Sequence, residues 1–169
     1  MMSKRTLPAV DDVYIALGTT IKVAGSQAAF RAVDLDAVLA VARAGRAAGA
    51  TRAGVVSAMG ANARSSVFYN RVKGEMELAL SGLGYASLVF ARPSLLAGDR
   101  ESLGQPGRSG EKLALLAMRF GAWLPANYRA IDAGRVAGAL HAAVRRGAPG
   151  VQVLLSGRMQ DWRDPAQDT

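Results

Sequence analysis

The sequence predicts an α/β protein with one parallel sheet and helices on both faces. Three observations predict it. Four short apolar runs lack polar alternation, as strands buried on both faces do: Val13-Tyr14-Ile15-Ala16-Leu17, Ala53-Gly54-Val55-Val56-Ser57, Ser87-Leu88-Val89-Phe90-Ala91, and Val151 to Leu155. Between them, apolar residues recur at three- and four-residue spacing, the period of a helix packed on one side. Strand and helix alternate, the order that gives parallel strands joined by crossover helices. A length of 169 residues suffices for one domain with its own core.

The first strand, Val13 to Leu17, ends at Gly18-Thr19-Thr20. Ser26 is placed to cap a long helix, whose inner face reads as Phe30, Val33, Ala37, Val41 and Ala44 before Gly49 closes it. The second strand, Ala53 to Ser57, opens into a polar loop running through Gly60 to Ser66. The next helix carries Phe68, Val72, Met76 and Leu80 on one stripe and stops at Gly82 to Gly84. After the third strand, Pro93 begins a Gly/Pro-rich stretch reaching about Gly110, long enough for a functional loop. Helical pattern resumes over Lys112 to Phe120 and over Ile131 to Arg146. Arg145-Arg146 complement the negative end of that last helix before Gly147 and Pro149. Val151 to Leu155 is the fourth strand. Residues 1–10 read as a polar leader, 11–156 as the domain and 157–169 as a polar tail.

Composition narrows the chemistry. The chain has no cysteine, which excludes disulfides, thiolate metal sites and cysteine nucleophiles. Its single histidine, His141, excludes a multi-histidine metal cage and argues against a histidine-based triad. No apolar run approaches the roughly 20 residues that span a bilayer. Met1 to Val10 leaves no room for a secretory apolar segment before Asp11-Asp12. A cytoplasmic protein without a membrane partner is the expectation. The net charge of +8, from 21 basic and 13 acidic residues, raises the question of nucleic acid. The basic residues are scattered, though, with adjacent pairs only at Lys4-Arg5 and Arg145-Arg146, and aromatics make up 6%. Nucleic acid is usually met by clustered charge with interleaved aromatics, so a nucleic-acid partner is not favoured.

Ligands of parallel sheets bind at the carboxyl ends of the strands. Those ends are Gly18-Thr19-Thr20, Ser57 to Gly60, and Arg92-Pro93-Ser94. Tyr69-Asn70-Arg71-Val72-Lys73 sets a phenol and an ammonium one helical turn apart, roughly 6 Å at the backbone. A neighbouring ammonium stabilises phenolate, the direction a proton-transferring tyrosine needs. Spacing alone is equally met by a solvated helix face with Tyr69 half-buried. Ser57, twelve residues earlier at a strand end, brings a hydroxyl toward the same crevice. Gly74, in mid-helix, costs about 1 kcal/mol relative to alanine. Close approach of another backbone or a ligand would explain that cost.

Ser57, Tyr69, Lys73 and Pro93-Ser94, in this order on these elements, resemble the short-chain dehydrogenase/reductase family. The longer runs Ser57-Ala58-Met59-Gly60-Ala61, Phe68-Tyr69-Asn70-Arg71-Val72-Lys73-Gly74-Glu75 and Arg92-Pro93-Ser94-Leu95-Leu96 look like one atypical branch. That branch comprises NAD(P)H-binding oxidoreductases related to the Tat-interacting protein. Ala16-Leu17-Gly18-Thr19-Thr20 and Val33-Asp34 match its pattern too, so the resemblance covers about Asp11 to Leu155. It implies a Rossmann-like sheet and an NAD(P)H cofactor. It further implies Tyr69 as general acid/base on a small carbonyl or hydroxyl substrate. Lys73 would hold the nicotinamide ribose and lower the Tyr69 pKa, and Ser57 would hydrogen-bond the substrate carbonyl. Leu17, Gly18 and Thr19 would lie along the adenosine side of the cofactor, with Pro93 and Ser94 near the nicotinamide.

The sequence departs from the family at its start. The family's first strand leads into a Gly-x-x-Gly-x-x-Gly turn that cradles the pyrophosphate, and no such turn precedes Val13. Gly82-Leu83-Gly84-Tyr85-Ala86-Ser87 stands between a helix and a strand, the reverse of the required order, and Gly104 to Lys112 lacks the Gly-Lys pair of a phosphate loop. The fold is therefore expected as a Rossmann-like sheet truncated in its N-terminal half. Its Val13–Leu17 strand would then form a bare edge, which a homodimer could cover. A non-catalytic interaction or regulatory protein on the same scaffold is the alternative.

Overall fold

Residues 8–94, 96–97, 127 and 129–163 are described by a computed structural model. In chain order they form β1 (Asp12–Ile15), α1 (Ile21–Ala24), α2 (Gln27–Arg31), a π-helical segment (Ala32–Ala37), α3 (Val38–Ala47) and β2 (Arg52–Val56). There follow α4 (Phe68–Ser81), β3 (Ser87–Arg92), β4 (Leu96–Ala97), β5 (Ile131–Asp132), α5 (Ala133–Arg146), β6 (Gly150–Leu155) and α6 (Ser156–Gln160). The expected helix over Lys112 to Phe120 and most of the Gly/Pro-rich stretch lie outside the described residues.

The main sheet has the order β1-β2-β3-β6, with every pair parallel. Val13, Val55 and Phe90 lie on one face of it and pack with Phe30, Val38, Val72 and Met76 of the helices from α2 to α4. Val89 and Ala91 lie on the opposite face, with Val136, Leu140 and Val144 of α5 and Met159 of α6. Both faces of β3 are buried, which is why its sequence is apolar without alternation. Gly54 belongs to the α5 face, where an added Cβ would stand 2.7 Å from Val144 and 3.1 Å from Leu140. The missing side chain lets α5 settle onto β2.

The helix after β1 differs from the expected one. Of the five face residues read from the sequence, Phe30 is buried, while Val33, Val41 and Ala44 are exposed. The buried set is Phe30, Asp34, Leu35, Val38, Leu39, Ala42 and Gly45. Two causes combine. The π-helical turn rotates the residues that follow it against the α-helical count. An apolar periodicity also passes over a carboxylate, which is exposed by default, whereas the Asp34 side chain faces inward.

A two-stranded parallel pair, β4 with β5, was not expected, and Asp132 caps α5 by accepting from the Arg135 N–H at 3.2 Å. Packing continues past residue 156, where the sequence reading ends the domain. Met159 is fully buried, and the Trp162 ring lies so close to Gly138 that a Cβ there would be 2.1 Å away. At the other end, Val10, read as leader, packs on the core and donates its N–H to Ala48. Among the described residues β1 pairs only with β2, so it is an edge of the sheet, as expected. It is shorter than Val13–Leu17, with Ala16 and Leu17 beyond it.

Gly74 has a clear reason. A Cβ there would come within 2.1 Å of the Ala63 nitrogen and 2.2 Å of the Asn62 carbonyl carbon. The polar loop after β2 presses its backbone onto α4 at this point. The clash outweighs the helix propensity that alanine would gain, about 1 kcal/mol. Gly74→Ala is therefore expected to destabilise the fold by about 2 kcal/mol or more, read as a drop in the urea unfolding midpoint.

The Tyr85 hydroxyl donates to the Ala42 carbonyl at 2.6 Å, and burial pushes its phenol above the ordinary range. A proton held more tightly by the folded chain adds stability that is complete below the unfolded value of about 10. That contribution is lost as pH rises through the folded value. Unfolding measured from pH 8 to 12 should show a shallower alkaline loss of stability for Tyr85→Phe than for the unaltered chain.

Candidate functional site

The carboxyl ends of β1, β2 and β3 lie side by side, and backbone bonds fix their relation. The Ser57 N–H donates to Ala91 at 2.8 Å and the Met59 N–H to Pro93 at 3.0 Å, so the ends of β2 and β3 are tied together by backbone bonds. Helix α4 then contributes Tyr69, Lys73 and Glu77 at positions i, i+4 and i+8, a single stripe along its surface. Each of the three meets a different element.

Tyr69 is half-buried, with its ring centroid 5.7 Å from that of Phe30 in α2. Lys73 is 4% exposed, and its ammonium lies 2.7 Å from Asp34 Oδ1 in the π-helical segment. That ion pair is the partner of Oδ1 in a fully buried position. The other carboxylate oxygen accepts from the Thr19 N–H at 2.8 Å. Gly18 completes this corner: a Cβ on it would stand 3.4 Å from Asp34 Oδ1 and 3.8 Å from Lys73 Nζ. Gly18, Thr19 and Lys73, singled out by the sequence, are thus brought together, with Asp34 as the group that joins them.

The second half of the site is built on Glu77. Ser57 Oγ donates to Glu77 Oε1 at 2.5 Å in a buried bond. Arg92 forks onto the same carboxylate, Nε to Oε1 at 3.0 Å and Nη2 to Oε2 at 2.5 Å. Hydrogen bonding to Glu77 raises the Arg92 guanidinium pKa further above its ordinary value. Pro93 is buried, and Ser94 bridges to Ser156 at 3.1 Å and donates to the Arg129 carbonyl. Leu17 is exposed beyond the end of β1.

Sequence reasoning missed Asp34 and Glu77 as site residues. For Glu77, the spacing of four from Lys73 and eight from Tyr69 was a usable signal. Asp34 was masked by its charge. Elsewhere, a cavity of about 370 Å³ between α5, β6 and α6 is lined by Ala139, Ala143, Leu154, Met159 and Trp162, with Arg146 and Arg158. It contains none of the residues at these strand ends.

No family model matches the chain. Protein FMP52 of Candida albicans, named as mitochondrial, is 36% identical over 126 residues, which is 74% of this chain and 55% of that protein. HTATIP2 of Rattus norvegicus is 39% identical over 101 residues, 60% of this chain and 40% of that one. FMP52-1 of Scheffersomyces stipitis, also named as mitochondrial, is 38% identical over 89 residues, 53% of this chain and 39% of its own length. The chain is an atypical short-chain dehydrogenase/reductase related to HTATIP2.

The chain spans about half, or less, of the length of these curated relatives. Among solved structures it is similar to the Bordetella bronchiseptica enzyme WbmG in complex with NAD, with a TM-score of 0.59 and 15% identity. That match covers 86% of this chain and 50% of the other. It is also similar to a 3-oxoacyl (acyl-carrier-protein) reductase from Agrobacterium tumefaciens with NADP bound, with a TM-score of 0.57 and 16% identity, covering 88% and 64%. These likenesses establish the Rossmann-like fold. The mitochondrial names of the FMP52 relatives overturn the cytoplasmic expectation. That expectation rested on the missing secretory segment, which mitochondrial sorting does not use.

Breaking the buried Lys73–Asp34 pair leaves an uncompensated charge, which costs about 3–5 kcal/mol. Asp34→Ala should lose stability of this order in denaturant unfolding. Asp34→Asn keeps an acceptor for the Thr19 N–H and should lose less.

Proposed function

We propose that this short-chain dehydrogenase/reductase scaffold carries out NAD(P)H-dependent reduction of a small carbonyl, or the reverse oxidation of a hydroxyl, with Tyr69 and Lys73 as its working pair. The observation that carries the reading is the Tyr69–Lys73 stripe on α4, set beside Gly18 and Thr19 at the end of β1. A bound nicotinamide dinucleotide supplies the hydride that the carbonyl carbon gains. Tyr69 supplies the proton that the carbonyl oxygen gains and takes one back in the reverse direction. Lys73 keeps a positive charge one turn away, which favours the phenolate left behind.

The residues at the corner suit the ribose end of such a cofactor. Lys73 carries three N–H donors, and its 2.7 Å ion pair with Asp34 Oδ1 engages one of them. Gly18, which has no Cβ, stands beside this ion pair. A ribose hydroxyl, which both donates and accepts, matches that donor and acceptor set. Leu17, Gly18 and Thr19 would border the cofactor on the β1 side and Pro93 and Ser94 on the β3 side. The described residues show no glycine-rich turn between a strand and a helix to receive the pyrophosphate. A second copy paired along the open edge of β1 belongs to the same reading.

Titration with NADH and NADPH, followed by the intrinsic fluorescence of Trp123 and Trp162, tests cofactor binding. In a preparation that turns over, Tyr69→Phe is expected to lower kcat by a factor of about 100 or more with little change in unfolding midpoint. Unchanged turnover would refute the assignment. Folded protein that binds neither dinucleotide would favour a non-catalytic interaction role.

A further inference from the structure

The cavity of about 370 Å³ between α5, β6 and α6 shares no residue with the strand-end crevice, and its lining has two parts. The apolar part is Ala139 and Ala143 of α5, Leu154 of β6, Met159 of α6 and Trp162. Ala139, Ala143 and Met159 are buried, and the Trp162 ring is seated against α5 at Gly138. The polar part is Arg146, at the end of α5, and Arg158 of α6, with Gln152 and Asp161. Both arginines are exposed, so they stand on the solvent side of the cavity. Among the described residues neither is engaged in an ion pair or a hydrogen bond, whereas Arg31, Arg52, Arg92 and Arg145 are each met by a carboxylate. Two guanidiniums against the one carboxylate of Asp161 leave the rim net positive.

We propose that this cavity is a second ligand site, which takes an organic carboxylate carrying an apolar body of medium acyl-chain size. Its volume lies in the range of small-molecule sites, which combine an apolar lining with a few polar groups that fix orientation. The acyl chain is buried against Leu154, Met159 and Trp162, and the carboxylate meets the guanidiniums at the rim, donors suited to a carboxylate's two oxygens. Simpler occupants use half of this lining. An inorganic anion would gain the arginines and bury no apolar surface. A neutral alcohol of the same length would cover the apolar lining and leave the guanidiniums to water. The site stands apart from Ser57, Tyr69 and Lys73, so it is independent of the reductase reading.

Octanoate is the probe. Trp123→Phe leaves Trp162 as the single tryptophan, whose emission is expected to change saturably as octanoate is added. Octanol and inorganic phosphate should each bind about tenfold more weakly or worse. Arg146→Gln combined with Arg158→Gln should weaken octanoate by about tenfold or more and leave octanol unaltered. Ala142→Leu, from the same lining, keeps both charges but occupies the space, and should likewise weaken octanoate. If Trp123→Phe does not fold, calorimetry on the unaltered chain makes the same comparison of the three ligands. The proposal is overturned by an absence of saturable octanoate binding. Equal affinity for octanol, the mark of an apolar cleft, or for phosphate, the mark of a basic surface, also overturns it. So does octanoate binding that is unchanged in the arginine pair or in Ala142→Leu. The assay contains no dinucleotide, so its failure is separate from any failure of the reductase reading.

Discussion

Burial of two opposite charges one helical turn apart is the constraint around which the rest of this molecule is arranged. Lys73 and Glu77 both lie on the inner side of α4, and both are nearly removed from solvent. A bare charge in that position would cost several kcal/mol, comparable to a large part of a domain's net stability. Each is therefore met by a partner from a different part of the chain: Asp34 from the π-helical segment and Arg92 from the end of β3. The pairings fix where those elements sit relative to α4. They also tie the ends of β1 and β2 to α4 and its partners, through Thr19 and Ser57.

Close backbone approach is the second requirement. Gly74 allows the loop after β2 to lie on α4, and Gly54 allows α5 to lie on β2. Gly45 does the same where Val13 of β1 meets α3, with a Cβ there only 2.2 Å from the valine side chain. These contacts let helices lie close on both faces of the sheet. The packing, in turn, makes each ion pair sensitive to changes in side-chain length. Polar chemistry and steric fit are therefore linked: a longer reach at position 74 would shift α4, and with it all three residues of the Tyr69–Lys73–Glu77 stripe.

Much of the architecture was legible in the amino-acid pattern. The four main strands, the α4 stripe of Phe68, Val72, Met76 and Leu80, and the end of α5 at Gly147 lie close to where periodicity and caps put them. Periodicity misled at the helix after β1 because it sorts residues by polarity, and Asp34 is a carboxylate that faces inward. Short elements such as β4 and β5 have two residues each, too few to give a period. The extent of packing past residue 156 was hidden for a related reason, since Met159 and Trp162 stand among polar neighbours.

By itself the sequence determined the α/β class, the parallel strand order's raw material, the family, and the placement of Tyr69 and Lys73 on one helical face. Those properties depend on local spacing and residue type, which a linear chain carries in full. Only the tertiary structure decided which charges are paired. Asp34 and Lys73 are far apart along the chain, as are Ser57, Glu77 and Arg92. The energy of burying an ion depends on what lies across from it in space, and that information exists only once the elements have packed.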